Sequence, residues 1–132
     1  MSLSISMKKN IMVAVVALLL LFMSAMSASA ATFNYQFLDE NENYSPHASS
    51  FIVQDAVFSN DTATIVLEDS TTIGDLLVWD GSNYVEADRS VNSSGNVQFT
   101  FAINDLNENL AIQLFVNAGP HSGYIPLFIE WL

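Results

Sequence analysis

The sequence predicts an all-β, immunoglobulin-like sandwich of about eight antiparallel strands. Three observations carry that prediction. Apolar and polar residues alternate with period two in short runs along most of the chain. Clusters of Asn, Asp, Ser, Gly and Pro separate those runs at short spacing. Beyond residue 30, no stretch keeps a sustained helical period, and there is no internal repeat or low-complexity linker.

The elements follow in order. Phe33, Tyr35 and Phe37 alternate with polar neighbours and predict a first strand. Asp39 to Pro46 is polar turn sequence, and Ser45 to Phe51 is rich in small residues, which suits one helical turn. Phe51 to Phe58 reads as a second strand and Thr62 to Leu67 as a third, with Ser59-Asn60-Asp61 turning between them. Ile73 to Trp79 is the fourth, followed by the hairpin-type pair Asp80-Gly81. Asn83 to Asp88 is the fifth. Val97, Phe99, Phe101 and Ile103 alternate along the sixth. Leu110 to Val116 is the seventh. Gly119, Pro120 and Gly123 mark a turn before the last strand, Tyr124 to Leu132.

The first thirty residues stand apart. Lys8 and Lys9 precede an uncharged apolar run from Ile11 to Phe22, and Ala28-Ser29-Ala30 places small residues at −3 and −1 of a cleavage site. The order is that of an export signal, with Met7-Lys8-Lys9-Asn10 the more usual opening. Twelve apolar residues fall short of the ~20 needed to span a bilayer, so no membrane span is expected in the mature chain. The expected division is a signal peptide over 1–30 and one domain over 31–132, secreted and extracellular or held at the cell envelope. No anchor is expected after the last strand.

Charge narrows the partners. All fourteen Asp and Glu lie beyond residue 30, and Arg89 is the one Lys or Arg there, giving a formal charge of 1 − 14 = −13 for residues 31–132. Nucleic acid and anionic lipid need Lys and Arg, so both are excluded as partners. The chain has no cysteine, so the domain must hold together without a disulfide.

Catalytic signatures are missing: no Cys-based metal site, no Gly-rich phosphate loop and no serine elbow, so no enzyme is expected. Asp39-Glu40-Asn41-Glu42-Asn43 has the acid density of a calcium loop but lacks the central glycine and the distant glutamate; it reads as a solvated turn. Sequons begin at Asn43, Asn60 and Asn92.

Five segments, in order, carry a family resemblance: Asn34-Tyr-Gln-Phe, Ser45-Pro-His-Ala-Ser-Ser-Phe51, Ile73-Gly-Asp-Leu-Leu-Val-Trp-Asp-Gly81, Phe99-Thr-Phe-Ala-Ile-Asn-Asp-Leu106 and His121-Ser-Gly-Tyr-Ile-Pro-Leu-Phe-Ile-Glu-Trp131. Together they resemble the NEAT (near-iron transporter) haem-binding domain, over nearly all of residues 31–132. The resemblance implies a non-covalent haem b pocket between the Ser-led lip and the last hairpin, in a protein that acquires haem and hands it to other haem carriers. It implies a propionate contact at Ser45, and Phe51 and His47 over one haem face. The family's Tyr-x-x-x-Tyr hairpin motif is incomplete here, because Pro120 stands four residues before Tyr124. Three readings follow. His121 ligates iron, with Tyr124 beside it. Alternatively, Tyr124 ligates iron and Phe128 takes the second position. In the third reading, haem binding is lost. His47 and His121, the two histidines of the chain, fall in the two segments that would enclose a haem. Phe51, Ile112, Leu114, Val116, Tyr124 and Phe128 supply apolar side chains for the slot, though the same residues suit any sandwich core.

Two other readings use the same fold. One is a module that binds host haemoproteins, although the lip from Ser45 to Ser50 is poor in aromatic residues. The other is a carbohydrate-binding module with Trp79 and Tyr84 as stacking platforms.

Overall fold

The computed structural model describes residues 30–132. The expected export signal, save Ala30, lies outside the described residues.

Ten strands form two five-stranded antiparallel sheets. The strands are β1 (Ala31–Phe33), β2 (Tyr35–Leu38), β3 (Ala56–Ser59), β4 (Thr62–Leu67), β5 (Ile73–Trp79), β6 (Tyr84–Glu86), β7 (Asp88–Val91), β8 (Val97–Ala102), β9 (Leu110–Val116) and β10 (Gly123–Trp131). One sheet runs β1-β3-β4-β8-β7 and the other β2-β10-β9-β5-β6. One short helix, α1 (Pro46–Ser49), follows β2. No described helix is long and apolar enough to cross a membrane.

Predicted strands four and seven match β5 and β9 in extent, and strand three matches β4. Two predicted strands are in fact pairs. The run from Phe33 to Phe37 breaks at Asn34, where the chain leaves one sheet and enters the other; the Asn34 side chain accepts the Tyr35 N–H at 3.0 Å. The run from Asn83 breaks in the same way at Ala87, so β6 and β7 lie in different sheets. The stretch from Phe51 to Asp55 is mostly not ladder. It makes one isolated bridge, Ile52 to Leu67, and becomes a strand only at Ala56.

Alternation builds the core. Leu127 and Ile129 of β10, Ile112 and Leu114 of β9, and Phe99 of β8 point between the sheets and are buried. No polar or charged side chain is buried among the described residues, so the interior is a plain apolar layer. Tyr35 is the nearest exception. It is 3% exposed, packs edge-on to Phe37 and near Trp131, and its hydroxyl has no hydrogen-bond partner.

Arg89 wires the two sheets together. Its Nε donates to the carbonyl of Gly74 at 3.1 Å, and one terminal nitrogen donates to Ser70 and Ile73 carbonyls at 3.1 and 2.8 Å. The guanidinium thus ties β7, at the edge of one sheet, to the start of β5 in the other.

Candidate functional site

The lip is a fixed structure. Ser45 caps α1: its hydroxyl accepts the Ala48 N–H at 3.3 Å, and its own N–H donates to the Phe37 carbonyl at 2.9 Å. Ser49 then clamps the helix to the free edge of β2. Its hydroxyl oxygen accepts the Phe37 N–H at 3.0 Å and its hydroxyl donates back to the Phe37 carbonyl at 3.4 Å. His47 is exposed on α1 and meets the half-buried Phe51 ring edge-on at 6.0 Å.

The hairpin opposite is the pairing of β9 with β10. Its register sets Tyr124 against Phe115, Pro126 against Gln113 and Phe128 against Ala111. The intervening residues Ile125, Leu127 and Ile129 take the other face, and Leu127 and Ile129 are core residues. Tyr124 and Phe128 therefore share the outward face of the sheet, about 13 Å apart by strand rise. Tyr124 is 46% exposed, and its ring packs edge-on against Phe115 at 5.2 Å. Phe115 is seated on Gly74 of β5: a Cβ built there would lie 2.7 Å from the Phe115 ring. Glycine at 74 is what lets the Phe115 side chain approach the β5 backbone so closely.

Lip and hairpin tip belong to one end of the sandwich. Ile52 bridges Leu67, and the Glu68 N–H donates to the Phe51 carbonyl at 2.8 Å, so α1 leads to the finish of β4. Five residues on, Ile73 sits opposite Val116 at the tip of β9, and the Asn117 N–H donates to the Thr72 carbonyl at 2.7 Å. The link between them is held by Asp69, whose carboxylate accepts from the hydroxyls and N–H groups of Thr71 and Thr72 and is held below its ordinary range by them.

His121 lies beyond the strands, in a 3-10 turn from Gly119 to His121, and is exposed. Ser122 locks that turn: its hydroxyl accepts the Ala118 N–H at 3.1 Å and is within hydrogen-bond reach of Asn117 Oδ1 and the Gly119 carbonyl. Tyr124 is thus presented by a strand and His121 by a turn.

The expected slot changes in composition. Ile112 and Leu114 are 1% and 3% exposed and face the core, and Val116 packs against it, so they do not line an outward surface. The side chains that do face outward on β9, Phe115 and Ala111, are absent from the slot expected on sequence grounds. Their signal is there: once Ile112 and Leu114 are taken as core, parity assigns 111, 113 and 115 to the other face.

The remaining candidates resolve simply. Asp39 Oδ1 accepts the N–H groups of Asn41 and Asn43 at 2.8 and 3.0 Å, so the acidic stretch is an Asx-type turn. Among the described residues no three His, Asp or Glu side chains group closely enough to hold a metal ion. Trp79 and Tyr84 meet at 5.1 Å with their planes 61° apart, which is an edge contact and not the flat platform a sugar ring stacks on.

No family model matches the chain, and no curated protein matches its sequence. Solved structures do. The chain is similar to a point mutant of the fifth NEAT domain of IsdX2 in complex with heme, with a TM-score of 0.71 at 15% identity over 79% of this chain and 94% of that one. It is similar to the same domain of IsdX2, a B. anthracis hemophore, also in complex with heme, with a TM-score of 0.68 at 15% identity over 79% of this chain and 95% of that one. The fold is the NEAT sandwich.

Proposed function

We propose that the chain is a secreted haem-binding protein that captures haem b non-covalently on the outer face of the β9–β10 hairpin, beneath the α1 lip, and passes it to other haem-carrying proteins. It acts by binding and transfer and makes no covalent bond. The observation that carries this reading is the shared outward face of Tyr124 and Phe128, with Phe115 beside the tyrosine. A porphyrin needs an apolar surface and an iron ligand, and the outward Phe115 and Phe128 with Tyr124 are the residues that would meet those needs. The solved domains that share this fold hold heme.

Tyr124 is the ligand in this reading, because a strand position in register with the aromatic floor fixes its direction. Phe128 would pack against the porphyrin, His47 and Phe51 would cover it from the lip, and Ser45 would meet a propionate. His121, on the turn, stands outside the floor.

Titration of the purified protein with hemin should give a saturable Soret change at about one equivalent. Tyr124→Ala should abolish it, while His121→Ala leaves it nearly unchanged. The reverse pattern moves the iron to His121. An unaltered free-hemin spectrum ends the haem reading and leaves a protein- or carbohydrate-binding module.

A further inference from the structure

A second concave surface lies at the other end of the sandwich. It is a groove of about 780 Å³ where β5, β8 and the 103–109 connection meet. Trp79, Val85, Phe101, Leu110 and Phe128 give it an apolar lining. Trp79 and Val85 are 39% and 50% exposed, far more than the core residues beside them. Five carboxylates also line it: Asp80, Glu86, Asp88, Asp105 and Glu108. No Lys or Arg does. Those carboxylates do not converge into a metal site. They are spread along the groove, so the complementary ligand carries its positive charge spread out as well.

The border of the groove adds a direction. β6 supplies Val85 and Glu86, and it is the outermost strand of its sheet, with no strand on its far side. An extended chain can pair along such an edge while alternate side chains enter the groove.

We propose that this groove binds an extended, basic, amphipathic peptide segment of a partner protein, with lysine or arginine set against the carboxylates and apolar residues set against Trp79 and Phe101. A cation also gains from the partly exposed indole of Trp79. The site lies away from the lip, shares Phe128 and Ala111 with the outward face proposed for haem, and does not depend on haem.

The test titrates the purified protein with three synthetic octapeptides, alternating Lys-Val, Lys-Ser and Glu-Val, followed by calorimetry and Trp fluorescence. The Lys-Val peptide should bind saturably at one site, and the other two at least tenfold more weakly. Trp79→Ala should weaken the Lys-Val complex by about tenfold or more, as loss of an aromatic anchor does. Asp105→Lys with Glu108→Lys should weaken it similarly. Glu40→Lys with Glu68→Lys removes the same net charge outside the groove and should change it less than threefold. Equal losses in the two charge-reversed proteins would mean attraction to the overall charge alone and would overturn the proposal. So would an unaltered affinity in Trp79→Ala, absence of peptide binding, or saturable binding of chitohexaose in place of the peptide.

Discussion

Tyr35 is a large residue held in the core by its ring alone. Its hydroxyl is buried without a partner, a situation that costs about 1–3 kcal/mol. Burial first, and the negative charge of Asp55 second, push the phenol well above its ordinary range, because the anion has nowhere to go. Tyr35→Phe should therefore raise stability at neutral pH by about 1 kcal/mol, measured by urea unfolding. The alkaline limb should change as well. A group whose pKa is raised on folding keeps its stabilising effect below the unfolded pKa of ~10 and loses it as pH climbs from there towards the folded value. The natural chain should lose stability above about pH 10 more steeply than Tyr35→Phe does. A destabilised phenylalanine variant would show that the hydroxyl has a partner after all.

Among the elements, α1 depends on two serine side chains. Four residues cannot hold a helix by themselves, so the lip stands on the Ser45 cap and the Ser49 clamp to Phe37. Ser49→Ala should cost about 1–2 kcal/mol and speed amide exchange over residues 46–51 while β9 and β10 stay protected. If haem binds as proposed, it should also dissociate faster. Unchanged exchange over the lip would show that the clamp is dispensable. The lip was legible from Ser45 to Phe51 because small polar residues and proline announce a cap and a turn. The sheet crossings at Asn34 and Ala87 were not legible, since a strand that changes sheets keeps its period and loses only its neighbours. The floor was half legible: Tyr124 and Phe128 follow from their spacing, but which face of β9 meets them depends on where the other sheet packs.

The whole molecule is acidic without relief. Residues 31–132 carry a formal charge of −13, and self-repulsion opposes the compact state. Added NaCl shortens the Debye length from about 30 Å at 0.01 M to about 3 Å at 1 M. The melting temperature should rise across that range, by ~4–8 °C for each kcal/mol relieved in a domain of this size. A flat or falling curve would mean that the carboxylates lie too far apart to repel. Arg89, the one guanidinium, is exposed but committed to three backbone carbonyls across the joint between the sheets. Its place there leaves no fixed lysine or arginine among residues 31–132 to greet a cargo that bears carboxylates of its own. If the cargo is haem as proposed, like-charge repulsion should slow its loading at the encounter and assist its departure towards a more basic acceptor. On that reading, stopped-flow hemin loading should quicken as salt is raised from dilute buffer to brine.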